Sequence, residues 1–206
     1  MESSNKEFVK NVSLAITGAS GAQYALRLLQ QLVDKNCRVF LMVSSAAQVV
    51  INTETTFALP EKFSEQWEAF LNLVDASRDQ VVMLEKADWF SPVASGSSAP
   101  HSMVVCPASG GTLSAIATGA SNNLIERAAD VMLKERRQLI LVPREAPYSE
   151  IHLENMLKLT RMGATIIPAS PGFYHKPESI DDLVDFVVAR ILDQLHLQQD
   201  LMKPWA

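Results

Sequence analysis

The chain has 206 residues, of which 48% are apolar, and its 23 acidic and 18 basic side chains leave a net charge of −5. This length and apolar fraction suit one large domain with a proper core, spanning 1–206 with terminal arms at 1–10 and about 200–206. The acidic balance argues against a general nucleic-acid binder, no apolar run is long enough to span a membrane, and MESSNKEFVK has no signal-like stretch. Val12, Leu14, Ala15 and Ile16 predict a buried strand. Ala22, Ala25, Leu26, Leu29, Leu32 and Val33 then recur at helical spacing. Between them lies Thr17-Gly18-Ala19-Ser20-Gly21, a tight turn in which Ser20 is the expected helix cap and the first-turn N–H groups form a weak anion site. The turn has neither the dinucleotide glycine spacing nor the lysine ending of a triphosphate loop, so a mononucleotide phosphate is the expected guest.

A second strand is expected at 38–44, with Ser44-Ser45 capping the helix that follows. Phe63, Trp67, Phe70, Leu71 and Val74 predict another helix, and VVML (81–84) a short strand. SPVASGSSAP (91–100) cannot form a packed helix; a floppy surface loop and a small-residue loop admitting a flat ring are equally compatible with it. SMVVCPAS is a strand that Pro107 is expected to end. NNLIERAADVMLKERR (122–137) is a helix with a basic end, as the macrodipole favours. QLILVPRE, the helix closed by Gly163, the strand ATIIPAS and the helix opened by a Ser179/Asp182 capping box complete the chain. This alternation implies an α/β fold, a mainly parallel sheet with helices on both faces, whose ligands bind at the carboxyl ends of the strands. Four such ends carry unusual residues: Gly18–Gly21, Ser44–Ser45, Ser109–Thr112 and Arg144-Glu145. Cys37 and Cys106 read as buried thiols of a reducing cytosol, so a cytoplasmic location is expected, and no Cys/His spacing suggests zinc.

TGASGAQY, TET (53–55), ASGSSAP, NNLIERAADVMLKERR, LVPREAP, HLENMLKL and PGFYHKP, in this order, resemble the UbiX-type flavin prenyltransferases from about residue 12 to 205. The resemblance implies a Rossmann-like flavoprotein fold and transfer of the dimethylallyl group of dimethylallyl phosphate to N5 and C6 of reduced FMN. The product would be prenylated FMN, the cofactor of UbiD-type decarboxylases. It also implies a dodecamer with sites shared between subunits, and no metal. Its flavin turn matches Gly18, Ala19 and Ser20, its flavin serine Ser44, its fourth-strand turn Ser109, Gly110, Gly111 and Thr112, and its strand-end arginine Arg144. Its prenyl-phosphate ligands match Tyr174 and Arg190, with Ser20, Arg127 and Lys134 completing an anion pocket. Its glutamates of the chemical step match Glu54 and Glu145, and its prenyl-site aromatics Trp89 and Trp205. Ser45 stands where many members have lysine, Ala108 where many have cysteine, and SGGT replaces a bulkier turn.

The set makes chemical sense. Loss of phosphate leaves an allylic cation; Arg and Lys suit the leaving phosphate, aromatic faces suit the cation, and the second ring bond requires a proton acceptor, a carboxylate or the retained phosphate. Without the resemblance, Glu54 would pass for a solvated carboxylate, Arg127, Lys134, Arg136 and Arg137 for an exposed face, and Trp205 for a frayed end. His101, His152, His175 and His196 read as structural or exposed. Two other readings remain: an FMN-dependent decarboxylase of the phosphopantothenoylcysteine type, which would need an early histidine where the first here is His101, and a flavin carrier or storage protein, which would not explain the basic helix or GFYH.

Overall fold

The computed structural model describes residues 7–203. Six strands, β1 (Lys10–Ile16), β2 (Cys37–Val43), β3 (Val81–Leu84), β4 (Ser102–Ala108), β5 (Gln138–Pro143) and β6 (Thr165–Ile166), form one sheet in the order β3-β2-β1-β4-β5-β6. Every pairing is parallel. Among the described residues six α-helices lie between the strands, α1 (Ala22–Asp34), α2 (Ser45–Glu54), α3 (Phe63–Val74), α4 (Gly110–Thr118), α5 (Leu124–Lys134) and α6 (Glu150–Arg161), and α7 (Ile180–Gln194) follows the last strand.

Alternation along the strands sorts the core into two layers. Val12, Leu14 and Ile16 face the layer of α1, α3 and α7, packed with Leu28, Leu29, Phe70 and Val188. Ala15, Met103 and Val105 face α4 and α5, packed with Leu113, Ile116, Ala129 and Met132. Two-sided burial explains why β1 and β4 read as near-continuous apolar runs. On the first face Arg27 of α1 makes two bonds to Asp185 of α7, at 2.6 and 3.0 Å. Trp67 of α3 donates its indole N–H to the Val81 carbonyl at 2.8 Å, joining α3 to β3.

Four sequence expectations change in detail. Pro107 does not end β4: the ladder shifts register after Val105 and Ala108 still pairs with Pro143. The basic helix stops at Lys134. Arg136 turns to a positive φ of 53°, and Arg137 folds back on the 91–100 loop. The sixth strand shrinks to two residues, Thr165 and Ile166, although beyond them the Ile167 and Ala169 N–H groups still donate to the Leu141 and Pro143 carbonyls of β5. Ser20 is not the cap of α1; that position belongs to Gly21, whose φ of 112° is open to glycine and strained for other residues. The Ser44 cap and the Ser179/Asp182 capping box form as expected.

Candidate functional site

The strand order reverses at β1, whose neighbours are β2 and β4. In open α/β sheets the carboxyl end at such a reversal is where ligands bind. Three turns meet there. Thr17 joins the first to the third: its hydroxyl donates to the Pro107 carbonyl at 2.7 Å and accepts the Ser109 N–H at 2.8 Å. The Ser44 N–H donates to the Ile16 carbonyl at 3.0 Å, and Ala46 of α2 fills the space a side chain at Gly18 would need. Ser44 caps α2 by accepting the Ala47 N–H at 3.1 Å, and Ser109 caps α4 by accepting the Thr112 N–H at 3.2 Å. The Ser109 and Thr112 hydroxyls lie 3.0 Å apart.

The anion site at the head of α1 has a guest of its own. Glu54, the last residue of α2, accepts the Gly21 N–H at 2.8 Å and the Ala22 N–H at 3.1 Å with one carboxylate oxygen. Arg144, at the end of β5, donates to the Ser20 carbonyl at 3.2 Å. Burial alone would raise the pKa of Glu54, but the Ser20 hydroxyl, these two N–H groups and the Arg144 charge together hold it below the usual carboxylate value. Glu54 is therefore ionised across the neutral range. Glu145 sits beside Arg144, is exposed, and among the described residues accepts only the Ala146 N–H, at 3.2 Å. Two tyrosines complete the cluster. Burial raises Tyr24, with Cys106 adding and Arg144 opposing; burial raises Tyr148, with Glu145 adding and Arg144 opposing.

Two cavities bear expected site residues, one at these turns and one along α7. One of about 180 Å³ is lined by Ser44, Ser45, Lys86, Thr112 and Asn123 over an apolar floor that includes Met42, Leu84 and Ile125. Lys86 is hydrogen-bonded there to Ser45. This mix of a flat apolar surface and hydroxyls suits a heterocycle such as a flavin ring. The other, of about 230 Å³, brings Tyr174 and Arg190 together with Phe186 and Lys203. Tyr174 stands edge-on to Phe186 at 5.7 Å.

Not every expected site residue joins these groups within the chain. Arg190 has 55% of its side chain exposed and pairs with Asp193 at 2.8 Å. Arg127 donates to the Ala94 carbonyl at 3.1 Å and to Asp130 at 2.9 Å, and Lys134 pairs with Glu135. Trp89 is 45% exposed beside the fully exposed Phe90. Trp205 lies outside the described residues. The 91–100 loop is tied to the end of α5: Arg137 donates to the carbonyls of Gly96, Ala99 and Pro100, and Val93 and Ala94 are buried while Ser95, Ser97 and Ser98 are exposed. Sequence reasoning missed Thr17, Tyr24, Tyr148 and Lys86. Only Thr17 carried a signal, a second hydroxyl in the first turn. No helix among the described residues is long and apolar enough to cross a membrane.

The sequence model of the family described as Flavoprotein matches residues 1–192. The flavin prenyltransferase UbiX of Pseudomonas aeruginosa is 60% identical over 197 residues, covering 95% of this chain and 94% of its own length. Among solved structures, AnUbiX in complex with FMN and dimethylallyl pyrophosphate superposes with a TM-score of 0.84 at 41% identity, covering 96% of this chain and 97% of that one. A dodecameric FMN-dependent UbiX-like decarboxylase from Escherichia coli O157:H7 also reaches 0.84, at 40% identity over 95% of this chain and 99% of its own. A doubly wound parallel sheet, a cluster of turns at its reversal point and identity along nearly the whole length place this chain in the Flavoprotein family, among the UbiX flavin prenyltransferases.

Proposed function

We propose that the chain is a flavin prenyltransferase. It moves the dimethylallyl group of dimethylallyl phosphate to N5 and C6 of reduced FMN and delivers prenylated FMN to a UbiD-type decarboxylase. The observation that carries this reading is the 60% identity along 95% of the chain to a flavin prenyltransferase. The cluster of Ser20, Glu54 and Arg144 at the sheet edge supports it. Reduced FMN supplies the nucleophilic ring atoms; the chain supplies position, charge and proton handling. Gly18–Ser20, Ser44, Ser109–Thr112 and Arg144 hold the flavin. Arg190 and Tyr174 hold the prenyl phosphate, with Arg127 and Lys134 reaching it from a neighbouring subunit.

The C–O bond of dimethylallyl phosphate breaks with its electron pair going to phosphate, and the guanidinium and phenol groups stabilise that charge. The ionised Glu54 faces the allylic cation as an electrostatic partner. A carboxylate already bound to two N–H groups and a hydroxyl is a weak proton acceptor. Among the described residues Glu145 holds a single hydrogen bond, and it is the better placed of the two to take the proton that leaves C6 when the second ring bond forms, while the prenyl double bond takes up a proton carried by the phosphate. Protein, reduced FMN and dimethylallyl phosphate mixed without oxygen should give a flavin heavier by the added prenyl group in mass spectrometry. Unchanged flavin from an active fold and intact FMN binding would overturn the reading.

A further inference from the structure

HLENMLKL belongs to the family resemblance, yet none of its residues has a role so far. Its first residue, His152, lies at the start of α6 and faces the fourth-strand turn. His152 Nδ1 accepts the Ser149 N–H at 3.2 Å, and the Ser149 hydroxyl accepts the His152 N–H at 3.3 Å. That reciprocal cap commits Nδ1 as an acceptor, so the proton of the neutral ring resides on Nε2. Tyr148 packs edge-on against the imidazole with centroids 6.3 Å apart. Nε2 itself has no hydrogen-bond partner among the described residues. It occupies the space where a side chain at Gly110 would begin: a Cβ built there would lie 2.7 Å from Nε2 and 3.3 Å from Cδ2.

Gly110 and Gly111 open α4, and neither has a positive φ. The backbone therefore does not require glycine at either position, and glycine weakens a helix. His152 accounts for Gly110. Nothing lies within 4 Å of the Cβ position of Gly111, so the turn next to the imidazole contact is open to an approaching molecule. The ring is not free to step aside for a larger residue, because the cap holds one edge and Tyr148 packs against it.

We propose that His152 is a positioning residue for flavin binding: its imidazole, seated on Gly110, holds the first turn of α4 in the shape that lets Ser109, Gly111 and Thr112 meet FMN. The inference rests on the reading of that turn as a flavin ligand. It is tested by FMN affinity, from flavin fluorescence, alongside melting temperature. His152→Asn keeps an acceptor for the Ser149 cap but places nothing on Gly110. It should keep its melting temperature and bind FMN roughly tenfold more weakly, equivalent to about 1.4 kcal/mol. His152→Gln, whose amide nitrogen falls near the place of Nε2, should recover most of that loss. Gly110→Ala should weaken FMN in the wild-type background but add little to His152→Asn, because the ring it collides with is gone. Wild-type FMN affinity in His152→Asn, losses that simply multiply in the double variant, or a drop in melting temperature that tracks the FMN loss would each overturn the proposal. Unchanged FMN affinity in Ser109→Ala combined with Thr112→Val would instead remove the flavin reading of the turn, and the inference with it, whatever His152 does.

Discussion

Glu54 ends one helix and caps another. Its own carbonyl accepts the Gln23 amide at 3.1 Å, while its carboxylate covers the Gly21 and Ala22 N–H groups. Removing a side-chain cap costs about 1 kcal/mol, so Glu54→Ala should lower the unfolding free energy of the ligand-free protein by that order in urea titrations at neutral pH. The acid range gives a sharper test. The folded carboxyl lies below its unfolded value of 4.5, so its stabilisation is full above that value and is lost as pH falls through the folded one. Glu54→Gln should flatten that acid-side loss, and an unchanged slope would deny the carboxylate this role. For the reaction, Gln at either Glu54 or Glu145 should leave FMN binding intact. Removing a proton acceptor typically costs about a hundredfold or more, so Glu145→Gln should slow product formation by at least that. Wild-type turnover in both variants would make the two glutamates bystanders.

At the scale of elements, α7 and the loop before it carry Arg190 and Tyr174, the proposed prenyl-phosphate ligands. Arg190 is already paired with Asp193, an exposed intrahelical pair worth only a few tenths of a kcal/mol. A phosphate can replace it at little cost. Arg190→Ala should weaken dimethylallyl phosphate by about 1.5–3 kcal/mol, the usual worth of a charged hydrogen bond, and Tyr174→Phe by about 1 kcal/mol. FMN affinity should barely move in either, and calorimetry with each ligand separates the two; equal losses of both ligands would mean a damaged fold. The elements themselves were legible in the sequence because periodicity reports which face of a segment is buried. VVML became β3 residue for residue, and the Ser179 cap was visible in its spacing. What periodicity does not report is where a long side chain ends. Arg137 looked like a member of an exposed basic face, yet it leaves the helix and holds three loop carbonyls. Asp185 stands five residues before Arg190 on the same helix, yet it belongs to Arg27 of another helix. Glu54 looked solvated because the two N–H groups it meets are more than thirty positions away.

At the scale of the whole molecule, the cations expected at the prenyl phosphate lie apart in the chain. Arg127 and Lys134 sit on α5, bonded to Ala94, Asp130 and Glu135. Tyr174 and Arg190 share a cavity with α7. Sites completed by a neighbouring subunit, as proposed, would reconcile these placements with one phosphate pocket. Activity should therefore fall with protein concentration as the assembly dissociates, measured by sedimentation and turnover on the same dilution series. Arg127→Ala should impair dimethylallyl phosphate use in the assembled protein without changing FMN affinity. A dilute monomer with full activity would refute shared sites.

The bond between Thr17 and Ser109 also sets an order of events in time. It closes a loop of 92 residues, whereas β1 and β2 pair across α1 alone. As the chain emerges during synthesis, the first strand and its helix can consolidate long before the fourth strand exists, and their open edge must wait for it. Contacts that wait for so distant a segment are expected to form after the rate-limiting step. Thr17→Val strands the Ser109 N–H and should cost about 1–3 kcal/mol. In stopped-flow measurements that loss should appear as faster unfolding, with refolding nearly unchanged. Slowed refolding would instead mean that the two halves of the site meet early and help the rest of the sheet to form.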